Sequence, residues 1–127
     1  MNYRIIVVGD RPAAYHIDAI NEYKKRLSRY CRIQCIEIDK PSSGKAHRIA
    51  VSTSGKELSS EDLAAKINKL AVSGVSDIDF IIGPRQTGVD EEISMSPMDL
   101  SGGMTAVIVF EQIYRAYRIL NNEPYHK

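Results

Sequence analysis

Short apolar runs alternate in this chain with stretches whose apolar residues recur every three or four positions, and that alternation predicts its elements. Residues 3–8 form an almost unbroken apolar run, the pattern of a buried strand. Gly9-Asp10-Arg11-Pro12 breaks it, and Pro12 suits the first turn of a helix. Ile17, Ile20, Tyr23, Leu27 and Tyr30 then define one face of that helix, while Lys24, Lys25, Arg26 and Arg29 occupy the other. Residues 33–38 predict a second strand, 40–45 a loop and 48–52 a third strand. Ser59 and Asp62, at capping-box spacing, open a second helix with Leu63, Ile67 and Leu70 turned inward, and Ser73-Gly74 closes it. Ile78 to Ile82 is a further buried strand, and residues 83–103 are rich in loop formers. Thr105 to Phe110 has strong strand propensity, whereas Glu111 to Leu120 is helical.

Strands alternating with helices predict one α/β domain over residues 1–127, a mostly parallel sheet with helices on both faces. Ligands of such folds bind beyond the carboxyl ends of the strands, here the loops after residues 51, 82 and 96.

Composition narrows the classes. At 43% hydrophobic and 26% charged residues the chain is globular rather than disordered. A formal net charge of +1 excludes a uniformly basic nucleic-acid binder but allows a local basic patch. No run of about 18 apolar residues is present, so no membrane span is expected. The N-terminus enters strand pattern with no small-residue cleavage site, so no signal peptide is expected and the chain reads as cytoplasmic. Cys31 and Cys35 have no further ligands at a recognised spacing; they read as buried free thiols rather than a metal site. His16 and His47 read as solvated, and Gly55-Lys56 is too short for a phosphate loop.

The C-terminal segment carries more chemistry. Pro124 cannot continue the last helix, and Tyr125, His126 and Lys127 follow it. An aromatic ring, an imidazole and a cation can stack on bases, exchange protons and bind phosphate. Arg115 is read either as a phosphate ligand or as a cation complementing the helix dipole. The basic stretch from Lys24 to Arg29 suits either phosphate or solvent.

Two segments carry a resemblance to a known family. One runs from Arg48 through Val51, Gly55-Lys56 and Ser59-Ser60-Glu61 to Ala64, and the other from Glu111-Gln112-Ile113-Tyr114-Arg115-Ala116 to Pro124-Tyr125-His126-Lys127. In these the chain resembles the SPOUT-class methyltransferases that act on N3 of a pseudouridine in 23S rRNA helix 69. The resemblance implies a C-terminal trefoil knot, a homodimer, S-adenosylmethionine as cofactor, and 23S rRNA or the assembled ribosome as partner. It also implies one long helix over residues 105–120 in place of the strand pattern at 105–110.

Position by position, the resemblance assigns the methyl-donor pocket to Val51, Gly83, Ser96, Pro97, Met98, Asp99, Leu100 and Ser101. It makes His126 the general base, with Tyr125 stacking on a base and Arg115 holding phosphate; the tail is expected to complete the site once ordered, across the dimer. The chain departs from the family at Ile82, a glycine there, at Ser52, an acidic residue there, at Ser101-Gly102, a Pro-His pair there, and at Ala106, an arginine there. A helix between the second and third strands is missing, and the helix after Gly83 is reduced to roughly 89–94. The resemblance therefore leaves two functions open, an rRNA methyltransferase or a degenerate paralogue that binds RNA or ribosomes without methyl transfer.

Overall fold

Eight elements follow one another along the chain in a computed structural model that describes residues 1–40, 43–84 and 87–125. They are β1 (Asn2–Val8), α1 (Ala14–Leu27), β2 (Arg32–Ile38), β3 (His47–Glu57), α2 (Ser60–Val72), β4 (Asp77–Ile82), β5 (Glu91–Ser94) and α3 (Gly102–Leu120). The strands form one sheet in the order β2-β1-β4-β3-β5, with every pairing parallel.

The period-two alternation of the strands sorts the sheet into two faces. Tyr3, Ile5 and Val7 of β1 share one face with Ile49, Val51, Ile78, Phe80 and Ile82. Against them pack Ile20 and Leu27 of α1, Leu63 and Ile67 of α2, and Val109, Phe110 and Ile113 of α3. Each such side chain contributes about 1.5–3 kcal/mol by burial, so this layer dominates the stability of the domain.

All three helices lie on that face, which corrects the expectation of helices on both. The strand order explains it. β1 to β2 and β3 to β4 step in one direction across the sheet, so right-handed crossovers put α1 and α2 on the same side. By the same handedness the reverse steps, β2 to β3 and β4 to β5, belong to the other face, and no helix lies between these strands among the described residues. That face buries a smaller apolar cluster, Ile6, Val8 and Ile81, against Ile36, Ile38 and Val89. Toward the amino ends of the strands it turns polar. Asp79, 1% exposed, accepts from Arg4 Nε at 2.8 Å and Nη2 at 2.6 Å, and from Arg48 Nη1 at 3.1 Å. Paired in this way, the buried carboxylate avoids the cost of an isolated charge.

Two further segments differ from the sequence pattern. Residues 105–110 are helical, because Ala106, Val109, Phe110, Ile113 and Ala116 share one fully buried helical stripe. Burial of that stripe outweighs the β-propensity of a six-residue window. Residues 91–94, expected as the remnant of a helix, form a strand instead. Ile93 buries against the helical face while the segment pairs with β3. The register of that pairing shifts between Val51 and Lys56. There Gly55 lies so near β5 that a Cβ would stand 2.4 Å from the Ile93 carbonyl carbon.

Candidate functional site

The carboxyl ends of β1, β3 and β4 open into a cavity of about 440 Å³. Val8, Gly9 and Asp10 form one wall, Val51, Ser52 and Thr53 another, and Ile82, Gly83 and Pro84 a third. The loop from Met95 to Leu100 and the first turn of α3, at Gly102 and Thr105, close it.

Local chemistry fixes these walls. Gly83 has φ +146°, and a Cβ on it would lie 2.7 Å from the Val8 carbonyl oxygen, so the turn after β4 requires glycine. The loop before α3 is tied to itself: Ser94 Oγ donates to the Ser96 carbonyl at 2.9 Å, and the Met98 N–H donates to Ser96 Oγ at 3.0 Å. Ser101 caps α3, its hydroxyl oxygen accepting the Met104 N–H at 3.2 Å. Asp10 reaches the same helix terminus and accepts the Gly102 N–H at 2.9 Å.

The structure brings together six of the eight expected donor-site residues: Val51, Gly83, Ser96, Met98, Asp99 and Leu100 line the cavity. Pro97 and Ser101 belong to the same loop without lining the cavity, and Ser101 acts through its cap. Sequence reasoning missed Asp10, Thr53, Met95 and Thr105. Asp10 follows the first strand directly, and the carboxyl-end rule applied to β1 would have found it. The cavity suits S-adenosylmethionine in kind. Val51, Ile82 and Leu100 offer apolar contact for an adenine, and bare backbone at Gly83 can approach it closely.

Arg115 and Tyr125 lie elsewhere. Arg115 Nε donates to Glu111 at 3.1 Å, and its guanidinium lies 5.1 Å from the Tyr125 ring centroid. The Tyr125 hydroxyl donates to Glu111 at 3.3 Å, and its ring meets Tyr114 edge-on at 5.0 Å. Burial first, then its hydrogen-bonded neighbours, push the Tyr125 phenol up to about 12. One residue earlier in the tail the backbone is clamped: Arg118 donates to the Pro124 carbonyl and to Glu123, each at 2.9 Å, and Tyr30 donates to Glu123 at 2.6 Å. The Tyr30 hydrogen bond, with Arg118 and Arg29 nearby, holds the Glu123 carboxyl below its ordinary range. Thr105 at the cavity and Arg115 are ten helical residues apart, about 15 Å at the α-helical rise. The cavity and the tail of one chain are therefore separate. His126, the expected general base, lies outside the described residues.

Both other histidines correct the solvated reading. His16 is 7% exposed. Its Nδ1 accepts the Ala13 N–H at 3.1 Å, closing the start of α1, and a Cβ on Gly103 would fall 2.3 Å from that nitrogen. His47 is half-buried, with Nε2 2.6 Å from Glu91. The basic stretch of α1 is divided among separate jobs. Arg26 pairs with Glu22 and Arg29 with Glu123, whereas Lys24 lines a second cleft with Arg4, Arg32 and Lys45.

Comparison with known proteins gives a consistent picture. Residues 1–126 match the family described as predicted SPOUT methyltransferase. The chain is 45% identical to ribosomal RNA large subunit methyltransferase H 1 of Thermoanaerobacter sp. (strain X514), over all of both chains. It is 39% identical to ribosomal RNA large subunit methyltransferase H of Clostridioides difficile (strain 630) and 32% identical to that of Acetivibrio thermocellus, again over all of both chains. The first alignment spans 133 residues and the other two 160. The two longer relatives thus contain stretches that this 127-residue chain lacks.

Proposed function

We propose that this chain, which belongs to the SPOUT methyltransferase family, transfers a methyl group from S-adenosylmethionine to large-subunit ribosomal RNA. The relatives are named as ribosomal RNA large subunit methyltransferases over their whole length, which supports the substrate. The observation that carries the reading is the convergence of Val51, Gly83 and the 96–100 loop on one cavity at the carboxyl ends of the strands. Gly83, whose conformation the turn requires, is present; Ile82, which stands where the family has a glycine, is 4% exposed and joins the apolar core. This favours an active enzyme over a degenerate RNA-binding paralogue.

The finer reading is N3 methylation of a pseudouridine in helix 69 of 23S rRNA by a knotted homodimer in the cytoplasm. Among the described residues no helix is long and apolar enough to cross a membrane. The donor supplies an electrophilic methyl on sulfonium sulfur. In the transfer the S–CH3 bond breaks, an N3–CH3 bond forms, and the N3 proton leaves to a base. The protein's part is orientation and proton removal. The cavity walls fix the methyl group, Arg115 and Tyr125 position the nucleotide, and His126 takes the proton, imidazole being the side chain suited to general-base work near neutral pH. Because the tail and the cavity of one chain stand apart along α3, a second copy supplies the tail to each cavity.

The test is methyl transfer in vitro. Large-subunit RNA and intact ribosomes lacking the modification are incubated with protein and donor, and the nucleosides are resolved by mass spectrometry. One added methyl on a helix 69 pseudouridine is the expected product. Donor binding with no methyl on either substrate would replace this reading with the RNA-binding one.

A further inference from the structure

We propose that Asp10 makes the donor cavity selective for the positively charged methyl donor over its neutral product, an inference that rests on the donor reading above. The cavity is unusual in charge. Among the described residues its ionisable wall groups are Asp10 and Asp99, with no lysine or arginine beside them. A third carboxylate stands one hydrogen bond behind the wall, because Ser52 donates to Glu92 at 2.7 Å.

A helix N-terminus at the cavity would ordinarily favour an anion. Here α3 points its first turn at the cavity, but internal acceptors already occupy that turn. Asp10 Oδ2 takes the Gly102 N–H at 2.9 Å, and Ser101 Oγ takes the Met104 N–H at 3.2 Å. The second carboxylate oxygen of Asp10 accepts the Arg11 backbone N–H at 2.8 Å, which fixes the group's orientation. Gly102 permits this approach, since a Cβ there would meet Asp10 Oδ2 at 2.9 Å. Asp10 thereby offsets the roughly half positive charge of the helix terminus, and its remaining charge, together with Asp99, leaves the described wall net negative.

S-adenosylmethionine carries a sulfonium, an ammonium and a carboxylate, one net positive charge. After transfer the sulfur is a neutral thioether and the net charge is zero. A negative cavity therefore holds the donor more tightly than the product, and each turnover weakens the grip on what must leave. Unit charges some 6–8 Å apart, at an effective dielectric between protein surface and water, correspond to about three- to tenfold in affinity ratio.

The test is calorimetric titration of the full chain with S-adenosylmethionine and S-adenosylhomocysteine at low and at physiological salt. Asp10→Asn keeps an oxygen acceptor for Gly102 and removes the charge. The variant is expected to lose about three- to tenfold in donor affinity, to change product affinity less than about twofold, and to show a weaker salt dependence of the donor-to-product ratio. Asp99→Asn is expected to shift the ratio the same way, and it carries the test should Asp10→Asn fail to fold. Equal losses for both ligands, or an unchanged ratio in the folded variants, would overturn the proposal. Failure of the unmodified protein to bind either ligand would overturn the donor reading itself, and this inference with it.

Discussion

Gly83 presses its backbone against Val8, leaving no room for a side chain: a Cβ on Gly83 would stand 2.7 Å from the Val8 carbonyl oxygen and 2.9 Å from its Cβ. Both residues line the cavity, so the contact sets the spacing of the β1 and β4 walls. The neighbour is backbone and cannot rotate away, and φ is +146°. Gly83→Ala is therefore expected to cost about 1–3 kcal/mol in stability and to lower donor affinity at least tenfold, by about 1.4 kcal/mol or more. Calorimetric melting and donor titration check the two effects separately. An alanine variant with unchanged affinity would show that the turn does not shape the cavity.

Gly55 acts at a distance. Its Cβ would meet Ile93 backbone at 2.4 Å, in the pairing that holds β5 on β3. The chain after β5 becomes the 95–100 wall of the cavity. Gly55→Ala is expected to destabilise the fold by about 1–3 kcal/mol through overpacking and to speed amide exchange in residues 91–100. Hydrogen exchange confined to α2 would contradict this placement of the strain.

Glu91 of β5 couples the same strand to acid. Lys66 donates to its carboxylate and His47 Nε2 lies 2.6 Å from it. Burial alone would raise its pKa, but the hydrogen bonds from Lys66 and His47 outweigh burial and lower it. A carboxyl with a depressed folded pKa contributes stability above its unfolded value, about 4.3, and loses it as pH falls through the folded value. Lys66→Ala is expected to shift Glu91 upward and move the acid-unfolding midpoint to higher pH. Carboxyl-carbon NMR titration reads the first effect and circular dichroism the second.

Glu123 anchors the tail through Tyr30, Arg29 and Arg118. Glu123→Gln is expected to loosen residues 121–125, seen as faster hydrogen exchange there, and to lower methyl transfer more than donor affinity, because the tail serves the nucleotide and the cavity the donor. A loss of donor affinity in this variant would join tail and cavity more closely than the structure does.

The cleft at the amino ends of β1 and β2 is lined by Lys24, Arg32 and Lys45, none of which has an ion-pair partner among the described residues, whereas Arg4 is held by Asp79 and the lining carboxylate of Asp77 accepts from Asn2, so cations outnumber the free carboxylate. A phosphodiester backbone fits that charge. Arg32→Glu is expected to weaken RNA binding and to reduce the slope of log affinity against log salt by about 1, with donor affinity unchanged. An unchanged slope would leave the cleft without a role in RNA contact.

What the sequence made legible follows from how local each signal is. The α2 start was readable because Ser59 and Asp62 satisfy each other's backbone within one turn. That Val51 and the loop around Ser96 would meet at one cavity was readable from the resemblance and from the carboxyl-end rule together. β5 was not, since four residues are too few for a period to register and its strand character comes from pairing with β3. The burial of Asp79 was hidden for a similar reason. Its two arginine partners lie 75 and 31 residues away, and nothing in the local pattern of β4 announces them. His16 looked solvated beside Tyr15 and Ile17, but the imidazole is buried because α3 brings Gly103 against it.

The central claim is that the cavity beyond β1, β3 and β4 holds the methyl donor, and an amide NMR titration of the isotopically labelled protein with S-adenosylmethionine tests it most directly. The account predicts that shifts concentrate at Asp10, Val51, Gly83, residues 95–100 and the first turn of α3. Shifts confined to the Arg4–Arg32 cleft or to the tail around Tyr125, with the cavity amides unmoved, would contradict it.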